Sequence, residues 1–464
     1  MSGLAVRQTT IPGLLLVDLE LHADARGWFK ENWQRAKMTA LGLPDFGPVQ
    51  HSLAFNTAAG VTRGFHAEPW DKLVSVALGR IFCAWVDLRP GPGFGAMFTA
   101  EIGPESAVLV PRGVANSYQT LVDGTVYSYL VNDHWSPQAR SEYSYINLAD
   151  ESLAVAWPIP LERAVISEAD RAHPRLADAR PVPAKRTVVI GAGGQLGRAL
   201  LALLPDATPL DLPDFDLGDA DAVAAYPWRE VDTVINAAAY TAVDLAETPD
   251  GRRAAWAANV TGVANLCRAA AEHRLRVVHV STDYVFDGTA GEHTEDEPLS
   301  PLGVYGQTKA AGDALVSQVQ RHHLVRTSWV IGDGKNFVRT MASLAASGKS
   351  PSVVDDQFGR LTFTTDLAAG IVHLLATGAP SGTYNLTNDG PVASWYDIAR
   401  TVFELSGRDP ADVAPISTAD YTAGTATAPR PANSALALGK LRATGFSPSP
   451  WPERLRDYLR KDQP

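Results

Sequence analysis

The sequence has few cysteines, no surplus of basic residues and no long apolar run. Only two cysteines occur among 464 residues, Cys83 and Cys267, which disfavours a disulfide framework or a cysteine-built zinc site. The net charge of −11 leaves no basic block to neutralise phosphates, so we expect no nucleic-acid partner. Without an apolar stretch of about 18 residues or a signal-like leader, we predict a cytoplasmic protein with no membrane partner.

The pattern of apolar residues changes once along the chain. At 464 residues, two or three domains are expected. Up to about residue 160, short alternating runs such as "KLVSVALGRIFCAWVDL" and "TVYSYLVND" are separated by turns, which indicates an antiparallel sandwich or barrel. From residue 187, strands alternate with helices, which indicates a doubly wound, mostly parallel sheet. We place the first domain at 1–180, a linker at 181–186 and the second domain at 187–464.

A glycine-rich turn opens the second domain. In "TVVIGAGGQLGRALL", Gly191, Gly194 and Gly197 lie between a strand and a helix. The first allows a tight turn, the second lets backbone approach a pyrophosphate, and the third lets the helix pack on the strand. The pattern predicts binding of NADPH or NADH. Asp211 would suit the ribose hydroxyls of NAD and Arg198 the 2′-phosphate of NADP, so the preference stays open.

The stretch "YGQTK" places Tyr305 and Lys309 on one face of a helix. A nearby ammonium stabilises a phenolate, which makes tyrosine a better proton donor to a carbonyl. Thr282 in "VSTDYVFDG" ends a predicted strand, where open α/β sheets bind ligands, and can hydrogen-bond the same carbonyl. These three side chains are the candidate catalytic set of a reductase.

Residues 187–460 resemble the dTDP-4-dehydrorhamnose reductases, which are extended short-chain dehydrogenase/reductases. The resemblance rests on "GAGGQLG", "VINAAAYTAVDLAE", "STDYVFDG", "PLGVYGQTK", "VRTSWVIG" and "RPANSAL". It implies a Rossmann-like domain with a small substrate-binding part. The cofactor site it implies comprises Gly191, Gly194, Gln195, Leu196, Gly197, Asp216, Leu217, Ala237, Ala238, Ala239, Tyr305 and Lys309. The substrate site it implies comprises Thr241, Val243, Asp283, Tyr284, Trp329 and Arg430, although Trp329 fits a core position equally well.

One local difference separates this sequence from the sugar 4,6-dehydratases of the same superfamily. Those enzymes carry an Asp-Glu pair after the threonine, and the pair removes water. Here Thr282 is followed by Asp283 and Tyr284. Without the glutamate, elimination lacks its base, so net reduction is favoured.

Residues 5–180 resemble the dTDP-4-dehydrorhamnose 3,5-epimerases, whose fold is an all-β cupin jelly roll. The resemblance rests on "DARGWFKENW", "GVTRGFHAEPWDK", "YSYLVNDHWSPQARSE" and "ISEAD". It implies His66 as the base that removes the C3 and C5 protons and Asp170 as the group that orients it. Lys72 and Arg63 would stabilise enolate and diphosphate charge, and Tyr129 would return the proton. Arg26, Phe29 and Glu31 match the family's substrate-binding strand.

The first domain departs from that family at one catalytic position. Asn116 in "ANSY" stands where the epimerases usually carry a second active-site histidine. The stretch "GFHAEPW" supplies one histidine and no HxH pair, so we predict no metal site. His22, His51 and His134 are interpreted as structural or exposed.

Together the two resemblances imply one chain for two consecutive steps of dTDP-L-rhamnose synthesis. The substrate would be a dTDP-sugar, and the cupin would form a homodimer. Two alternatives stay open: one domain is a non-catalytic binding, dimerisation or regulatory module, or the enzyme makes another deoxysugar nucleotide.

Overall fold

The structure, a computed structural model, describes residues 3–461, with the side chains of all but Gln138 and Lys461. Its internal contacts divide the chain into two compact units between Ala184 and Lys185. The two architectures confirm the predicted fold class, an all-β unit followed by an α/β unit.

The first unit contains thirteen strands, three short α-helices and one 3-10 helix, Leu176–Asp178, in its described part. The strands are β1 Ala5–Gln8, β2 Leu15–Asp18, β3 His22–Asp24, β4 Gly27–Phe29, β5 Gln50–Asn56, β6 Thr62–Ala67, β7 Lys72–Leu78, β8 Ile81–Asp87, β9 Met97–Ile102, β10 Ser106–Val110, β11 Val114–Thr120, β12 Thr125–Val131 and β13 Ser144–Tyr145. The helices are α1 Arg35–Ala40, α2 Pro137–Arg140 and α3 Glu168–Arg171.

Two antiparallel sheets face each other in this unit. Their strand orders are β1-β2-β10-β7-β12-β5 and β13-β6-β11-β8-β9. Alternation along the strands turns Val74, Val76, Cys83 and Trp85 into the layer between the sheets, where they are buried. The separate hairpin β3–β4 pairs only with itself among the strands described. The jelly-roll expectation is therefore confirmed.

The second unit contains twelve strands and eleven α-helices in its described part, besides short 3-10 turns and the π-helix Ala257–Gly262. The strands are β14 Arg186–Ile190, β15 Thr208–Leu210, β16 Val231–Asn236, β17 Arg276–Thr282, β18 His322–Thr327, β19 Val330–Ile331, β20 Ser352–Val354, β21 Phe358–Gly359, β22 Thr362–Phe363, β23 Gly382–Asn385, β24 Ala393–Ser394 and β25 Ala414–Ile416. The helices are α4 Gln195–Leu203, α5 Ala220–Ala225, α6 Pro249–Trp256, α7 Val263–His273, α8 Val304–Val316, α9 Phe337–Ala346, α10 Thr364–Ala376, α11 Trp395–Leu405, α12 Thr418–Tyr421, α13 Gly439–Arg442 and α14 Trp451–Lys461.

A six-stranded parallel sheet forms the centre of the second unit, in the order β15-β14-β16-β17-β18-β23. Helices α7 and α8 pack on one face through Leu266 and Val316, and α4 and α10 pack on the other through Leu200 and Ile371. Because both faces are covered, the central strands are largely buried, and the apolar residues of β14, β16 and β17 fill the two layers between the sheet and the helices. The carboxyl ends of β14, β16 and β17 point to one edge, where ligands bind in such folds.

A smaller cluster surrounds α9, α11 and α14. Val338, Phe403 and Leu455 are buried at its centre. This cluster corresponds to the small substrate-binding part expected from the sequence. Among residues 3–461, no helix combines the length and the apolar character needed to cross a membrane.

Candidate active sites

His66 and Asp170 form a hydrogen-bonded pair in the first unit. His66 lies on β6, and its Nε2 is 3.0 Å from the Asp170 Oδ1. The Ser167 hydroxyl caps α3 by accepting from the backbone N–H of Asp170, which holds the carboxylate at the helix start. The His66 side chain is one-third exposed, whereas Asp170 is buried. A base that faces solvent and a buried carboxylate behind it suit proton abstraction from a bound substrate.

His173 is a neighbour of this pair that sequence reasoning missed. Its Nε2 lies 3.8 Å from the Asp170 Oδ1, and its ring stacks on Tyr145 at 4.6 Å between ring centres. Burial, followed by the charge of His66, lowers the pKa of His173. Burial acts to raise the pKa of Asp170, but the hydrogen bond from His66 and the charges of both histidines outweigh it and lower the pKa. The three groups offer ligand atoms within 4.8 Å of one another.

Lys72 lies beside Tyr129 in the same unit. Its ammonium is 4.9 Å from the centre of the Tyr129 ring and donates to the Glu68 Oε1 at 2.5 Å. Lys72 is buried, and Glu68 also accepts from the Trp70 indole at 2.6 Å. A buried cation that is already paired contributes a local positive charge without leaving an ion uncompensated. Glu68 was not among the predicted site residues.

Asn116 lies directly opposite His66 in the β6–β11 pairing, so both side chains point to the same face. Its Nδ2 donates to the Tyr127 hydroxyl at 3.1 Å. The Oδ1 is buried and has no hydrogen-bond partner among the residues described. A buried acceptor without a hydrogen-bond partner costs free energy. Oδ1 is therefore available to a ligand donor.

The predicted substrate-binding strand lies apart from His66 within one copy of the unit. Arg26 is largely exposed and pairs with Asp24 at 2.5 Å, while Phe29 is 64% exposed. Glu31 pairs with Lys37 at 2.5 Å. Arg63 is exposed on β6. Burial raises the pKa of the Tyr118 phenol, and the charge of Arg63 acts against that rise. No contact described for this chain joins Arg26, Phe29 or Glu31 to His66.

The glycine loop of the second unit has the geometry of a phosphate cradle. Gly191 has a φ of +78°, and a Cβ there would lie 2.6 Å from the Ala238 backbone nitrogen. A Cβ at Gly197 would lie 2.1 Å from the Gly191 carbonyl oxygen, so α4 can approach β14 only with glycine. In the described structure, no side chain caps α4 at Gly194. The residues present thus fit a dinucleotide, because free helix N–H groups face the loop.

The other predicted cofactor residues surround this loop in different ways. The Asp211 Oδ2 accepts from the Gly193 backbone N–H at 2.6 Å, and the Arg198 guanidinium donates to the Gly193 carbonyl. Asp211 and Arg198, the two residues that could distinguish NAD from NADP, therefore both contact Gly193. The Asp216 Oδ1 accepts from the Gly218 backbone N–H at 2.7 Å, within one turn of the chain. The Leu217 side chain packs in the core. The remaining predicted residues near β14 and α4 are Gln195, Leu196, Ala237, Ala238 and Ala239.

Thr282 ends β17 and Asp283 follows it, at the ligand edge of the sheet. The Thr282 hydroxyl donates to the Asp283 Oδ1 at 2.9 Å and accepts from the Tyr284 backbone N–H at 3.2 Å. It must therefore turn from Asp283 to donate to a substrate oxygen. Burial raises the pKa of Asp283 to about 6, against hydrogen bonds from Ser434 and Thr282.

Tyr305 and Lys309 project from α8 next to this strand end. The Glu247 Oε1 accepts from the Val304 backbone N–H at 2.8 Å and caps the helix just before Tyr305. Burial, and then the charge of Asp283, raise the pKa of Tyr305, while the Thr282 hydroxyl lowers it. The expected lowering by Lys309 does not dominate, because the Lys309 Nζ instead contacts the Val280 carbonyl at 2.7 Å. The phenol is thus held protonated, as a proton donor must be.

The predicted substrate residues of this unit lie in two places. Tyr284 stacks edge-on to Tyr305 at 5.8 Å, and the Arg430 charge lowers the pKa of Tyr284 against a larger rise caused by burial. Arg430 also donates to both carboxylate oxygens of Asp244 at 2.9 Å. Thr241 is exposed and Val243 half-buried in the loop that leads to Asp244. Within this set, Tyr284 is the residue whose ring contacts Tyr305.

Trp329 lies against the smaller cluster of the second unit. Its ring stacks on Trp395 at 3.8 Å between ring centres, and a Cβ at Gly359 would meet it at 2.9 Å. The backbone of Trp329 has a φ of +46°, which is uncommon for a bulky residue and is held by this packing. Trp329 is half-buried, so its ring is partly a packing element of that cluster.

Comparison with known proteins gives matches over nearly the whole chain. The family described as "RmlD substrate binding domain" matches residues 185–463, and the family described as "dTDP-4-dehydrorhamnose 3,5-epimerase" matches residues 8–178. A dTDP-4-dehydrorhamnose reductase of Aggregatibacter actinomycetemcomitans is 38% identical over 58% of this chain and 97% of its own length. A protein named RmlC homolog from Streptococcus pyogenes is 46% identical over 36% of this chain and 86% of its own length.

A solved structure is also similar to the second unit. The dTDP-4-dehydrorhamnose reductase of Bacillus anthracis, crystallised with NADP, is 32% identical, covers 60% of this chain and 100% of its own, and superposes with a TM-score of 0.55. Fold and sites thus define a two-domain enzyme, an epimerase-like cupin followed by a Rossmann-like reductase. The chain belongs to the dTDP-4-dehydrorhamnose reductase family and carries in addition a domain of the dTDP-4-dehydrorhamnose 3,5-epimerase family.

Proposed function

We propose that this chain catalyses two consecutive steps of dTDP-L-rhamnose synthesis. The first unit epimerises dTDP-4-dehydro-6-deoxy-D-glucose at C3 and C5, and the second reduces the C4 ketone with NADPH or NADH. The observation that carries the proposal is the presence of one set of candidate catalytic polar groups in each of the two units. One is His66 paired with Asp170, and the other is Thr282 with Tyr305 and Lys309.

The epimerase step begins at His66. Its Nε2 is engaged by Asp170 at 3.0 Å, which leaves Nδ1 to remove a proton next to the ketone. Asp170 then stabilises the imidazolium, and the Lys72 ammonium offsets the negative charge of the enolate. Tyr129, next to Lys72, returns a proton from the other face. One proton leaves and one is added at each carbon, so no redox partner is needed.

The reductase step requires a proton at the C4 oxygen. A nicotinamide cofactor supplies the hydride when it is bound. Tyr305 supplies the proton, since burial keeps its phenol protonated, and Thr282 orients the same oxygen after turning from Asp283. The glycine loop at Gly191 and the free start of α4 hold the pyrophosphate. Asp211 and Arg198 both reach this loop, so both cofactor forms are proposed.

We further propose a homodimer that forms through the cupin unit. Strand β5 is at the edge of its sheet and exposes Leu53 and Phe55, at 63% and 64%. An exposed apolar edge strand is normally covered by another chain. The exposed hairpin with Arg26 and Phe29, together with Glu31 just after it, would then contribute to the site of the second copy. Phe55→Lys should shift the protein to monomer in sedimentation velocity.

We propose a cytoplasmic location, since nucleotide sugars and reduced nicotinamides are handled in a reducing compartment. Both cysteines of the chain are free, which suits such a compartment. The partners proposed are thus a dTDP-sugar and a second copy of this chain.

One incubation tests the two activities together. Purified protein is given dTDP-4-dehydro-6-deoxyglucose and NADPH in D₂O, and the sugar product is identified by NMR. We expect dTDP-L-rhamnose with deuterium at C3 and C5. Reduction without deuterium at either carbon would mean that the cupin is only a binding or dimerisation module. Deuterium at one carbon would indicate another deoxysugar.

A further inference from the structure

Three buried polar side chains form a row behind the candidate active site of the second unit. Asn236 ends β16, His279 lies on β17, and Lys309 lies on α8. The Asn236 Nδ2 is 3.1 Å from the His279 Nδ1, and the His279 Nε2 is 3.2 Å from the Lys309 Nζ. Asn236 and His279 are fully buried and Lys309 nearly so. Sequence reasoning did not single out Asn236 or His279.

The orientation of the Asn236 amide determines where the ring proton lies. The Ala238 backbone N–H donates to the Asn236 Oδ1 at 3.1 Å, so Nδ2 is the atom that faces His279 and donates to its Nδ1. Turning the amide over would set its NH₂ against the Ala238 N–H. A neutral imidazole that accepts at Nδ1 carries its proton on Nε2.

That Nε2 proton points at Lys309. An ammonium has only donors, so it cannot accept a hydrogen bond from a ring N–H, whereas a neutral amine can. The Lys309 Nζ also donates to the Val280 carbonyl at 2.7 Å, which an amine can do with one of its two hydrogens. Burial is the largest cause that lowers the pKa of His279 well below its usual value, and the charge of Lys309 adds to it only when Lys309 is protonated, so the ring stays neutral beside either form of Lys309.

We propose that Asn236 and His279 are positioning residues that favour the neutral amine of Lys309 in the cofactor-free reductase, so that binding of a nicotinamide dinucleotide takes up a proton at Nζ. The inference rests on the proposed reductase function of this unit. The anionic dinucleotide and its acceptor oxygens favour the ammonium. Lys309 would then be charged when Tyr305 gives up its proton and would stabilise the phenolate.

The surrounding charges leave the two forms of Lys309 close in free energy. Burial lowers the pKa of Lys309 to about 8, while the charge of Asp313 on α8 raises it. Arg326 on β18 pairs with Asp313 at 3.1 Å and offsets part of that charge. Tyr305, one turn before Lys309 on α8, is the other titratable group on this face and stays neutral through burial.

Calorimetry of NADPH binding tests the proposal on the full chain without sugar. At pH 8, binding enthalpies in buffers of different ionisation enthalpy give the number of protons taken up. We expect uptake of about half a proton for the wild type, because a pKa of about 8 leaves Lys309 about half charged at pH 8. The variant Asn236→Asp still accepts from the Ala238 N–H, but its other carboxylate oxygen now accepts from the His279 Nδ1. The ring proton then moves from Nε2 to Nδ1, so Nε2 accepts from the Lys309 ammonium. Proton uptake on NADPH binding should therefore fall close to zero.

A second pair of variants separates this tautomer effect from a simple charge effect. His279→Phe removes both ring nitrogens, so adding Asn236→Asp to it should leave proton uptake unchanged. Where His279→Phe does not bind NADPH, the pH dependence of affinity decides instead. The wild-type Kd should rise by up to about tenfold from pH 8 to 9, while that of Asn236→Asp stays flat.

Three results would overturn the proposal. They are no proton uptake by the wild type, equal uptake by Asn236→Asp, or an equal effect of Asn236→Asp when His279 is absent. If the affinity for NADPH is measured instead, an equal pH dependence of Kd in the wild type and in Asn236→Asp would also overturn the proposal. Failure of the proposed sugar reduction is distinguishable, since NADPH binding is measured without any sugar.

Discussion

The two candidate sites differ in how deeply the ionisable groups around the proton-moving side chain are buried. In the cupin unit, His66 is one-third exposed and its carboxylate partner is buried. In the reductase unit, Tyr305 is half-buried, and Thr282, Asp283 and Lys309 next to it are all buried. The pKa of Asp283 is accordingly raised to about 6 and that of Lys309 lowered to about 8. Both shifts follow from the cost of burying a charge.

This difference follows the chemistry proposed for each unit. A base that removes a carbon-bound proton must cycle between charged and neutral forms, which an accessible imidazole near a carboxylate does readily. A hydride acceptor site benefits from excluding water, and its acid must stay protonated until the hydride arrives. Independent sites predict that each activity can be removed without the other.

The largest expected effect is the loss of reduction in Tyr305→Phe. Losing the general acid should slow NADPH oxidation by about 10²–10⁴-fold, while deuterium exchange at C3 and C5 continues at the wild-type rate. The exposed Tyr421 offers the matched control Tyr421→Phe, which should change neither activity. If exchange also disappears in Tyr305→Phe, the two sites are not independent.

His66→Ala should produce the reverse result. Exchange at C3 and C5 should fall by about 10²–10⁴-fold, because the general base is removed, and reduction of a pre-epimerised sugar should persist. His134→Ala, at an exposed histidine, is the matched control. Exchange at the wild-type rate in His66→Ala would falsify the assignment of a base to this unit.

Asp283→Asn tests how much the burial of this carboxyl, when it is charged, lowers the free energy of unfolding of the reductase unit. A carboxyl whose folded-state pKa is raised from 3.8 to about 6 stabilises the fold below pH 4 relative to pH 8, and this contribution is lost as pH rises through 6. The neutral amide should therefore stabilise the unit at pH 8 by at most about 3 kcal/mol and change little at pH 4. Denaturant unfolding at both pH values measures this, with the exposed Asp214→Asn as control. Equal stability of Asp283→Asn and wild type at pH 8 contradicts it.

A smaller effect is expected from Asn116→His in the cupin unit. Asparagine cannot become a cation near pH 7, whereas histidine can. Restoring the residue that this family usually carries should retain or raise the exchange rate, measured by NMR in D₂O. The same change in His66→Ala should restore nothing, because the proposed base is missing. A severe loss in Asn116→His alone would show that its contact with Tyr127 is essential.

The smallest effect is expected from chelation. His66, Asp170 and His173 lie close enough to bridge an ion, yet the enolate mechanism needs only proton transfer and the Lys72 charge. Exchange should therefore survive exhaustive treatment with EDTA. Complete loss, restored by added zinc or iron, is the outcome that contradicts it.

Much of the fold could be predicted because it depends on local periodicity. Strand β7 in "KLVSVAL", the strand–turn–helix around Gly191 and the helix that carries Tyr305 and Lys309 all follow from patterns a few residues long. The proximity of His66 and Asp170 was expected only through resemblance, since 104 residues separate them. His173 and His279 gave no local signal that could distinguish them from ordinary histidines.

By itself, the sequence determined two domains of different class, a dinucleotide loop and the residue types of two reactions. These features depend on the spacing of residue types along the chain, which can be read directly from the sequence. Only the tertiary structure decided that His173 lies beside Asp170, that Asn116 faces His66 and that Asn236 orients His279. The structure was also needed to show that the pKa of Tyr305 is raised by burial, and not lowered by the charge of Lys309. Such contacts and shifts arise from strand order and desolvation, which bring together groups far apart in sequence.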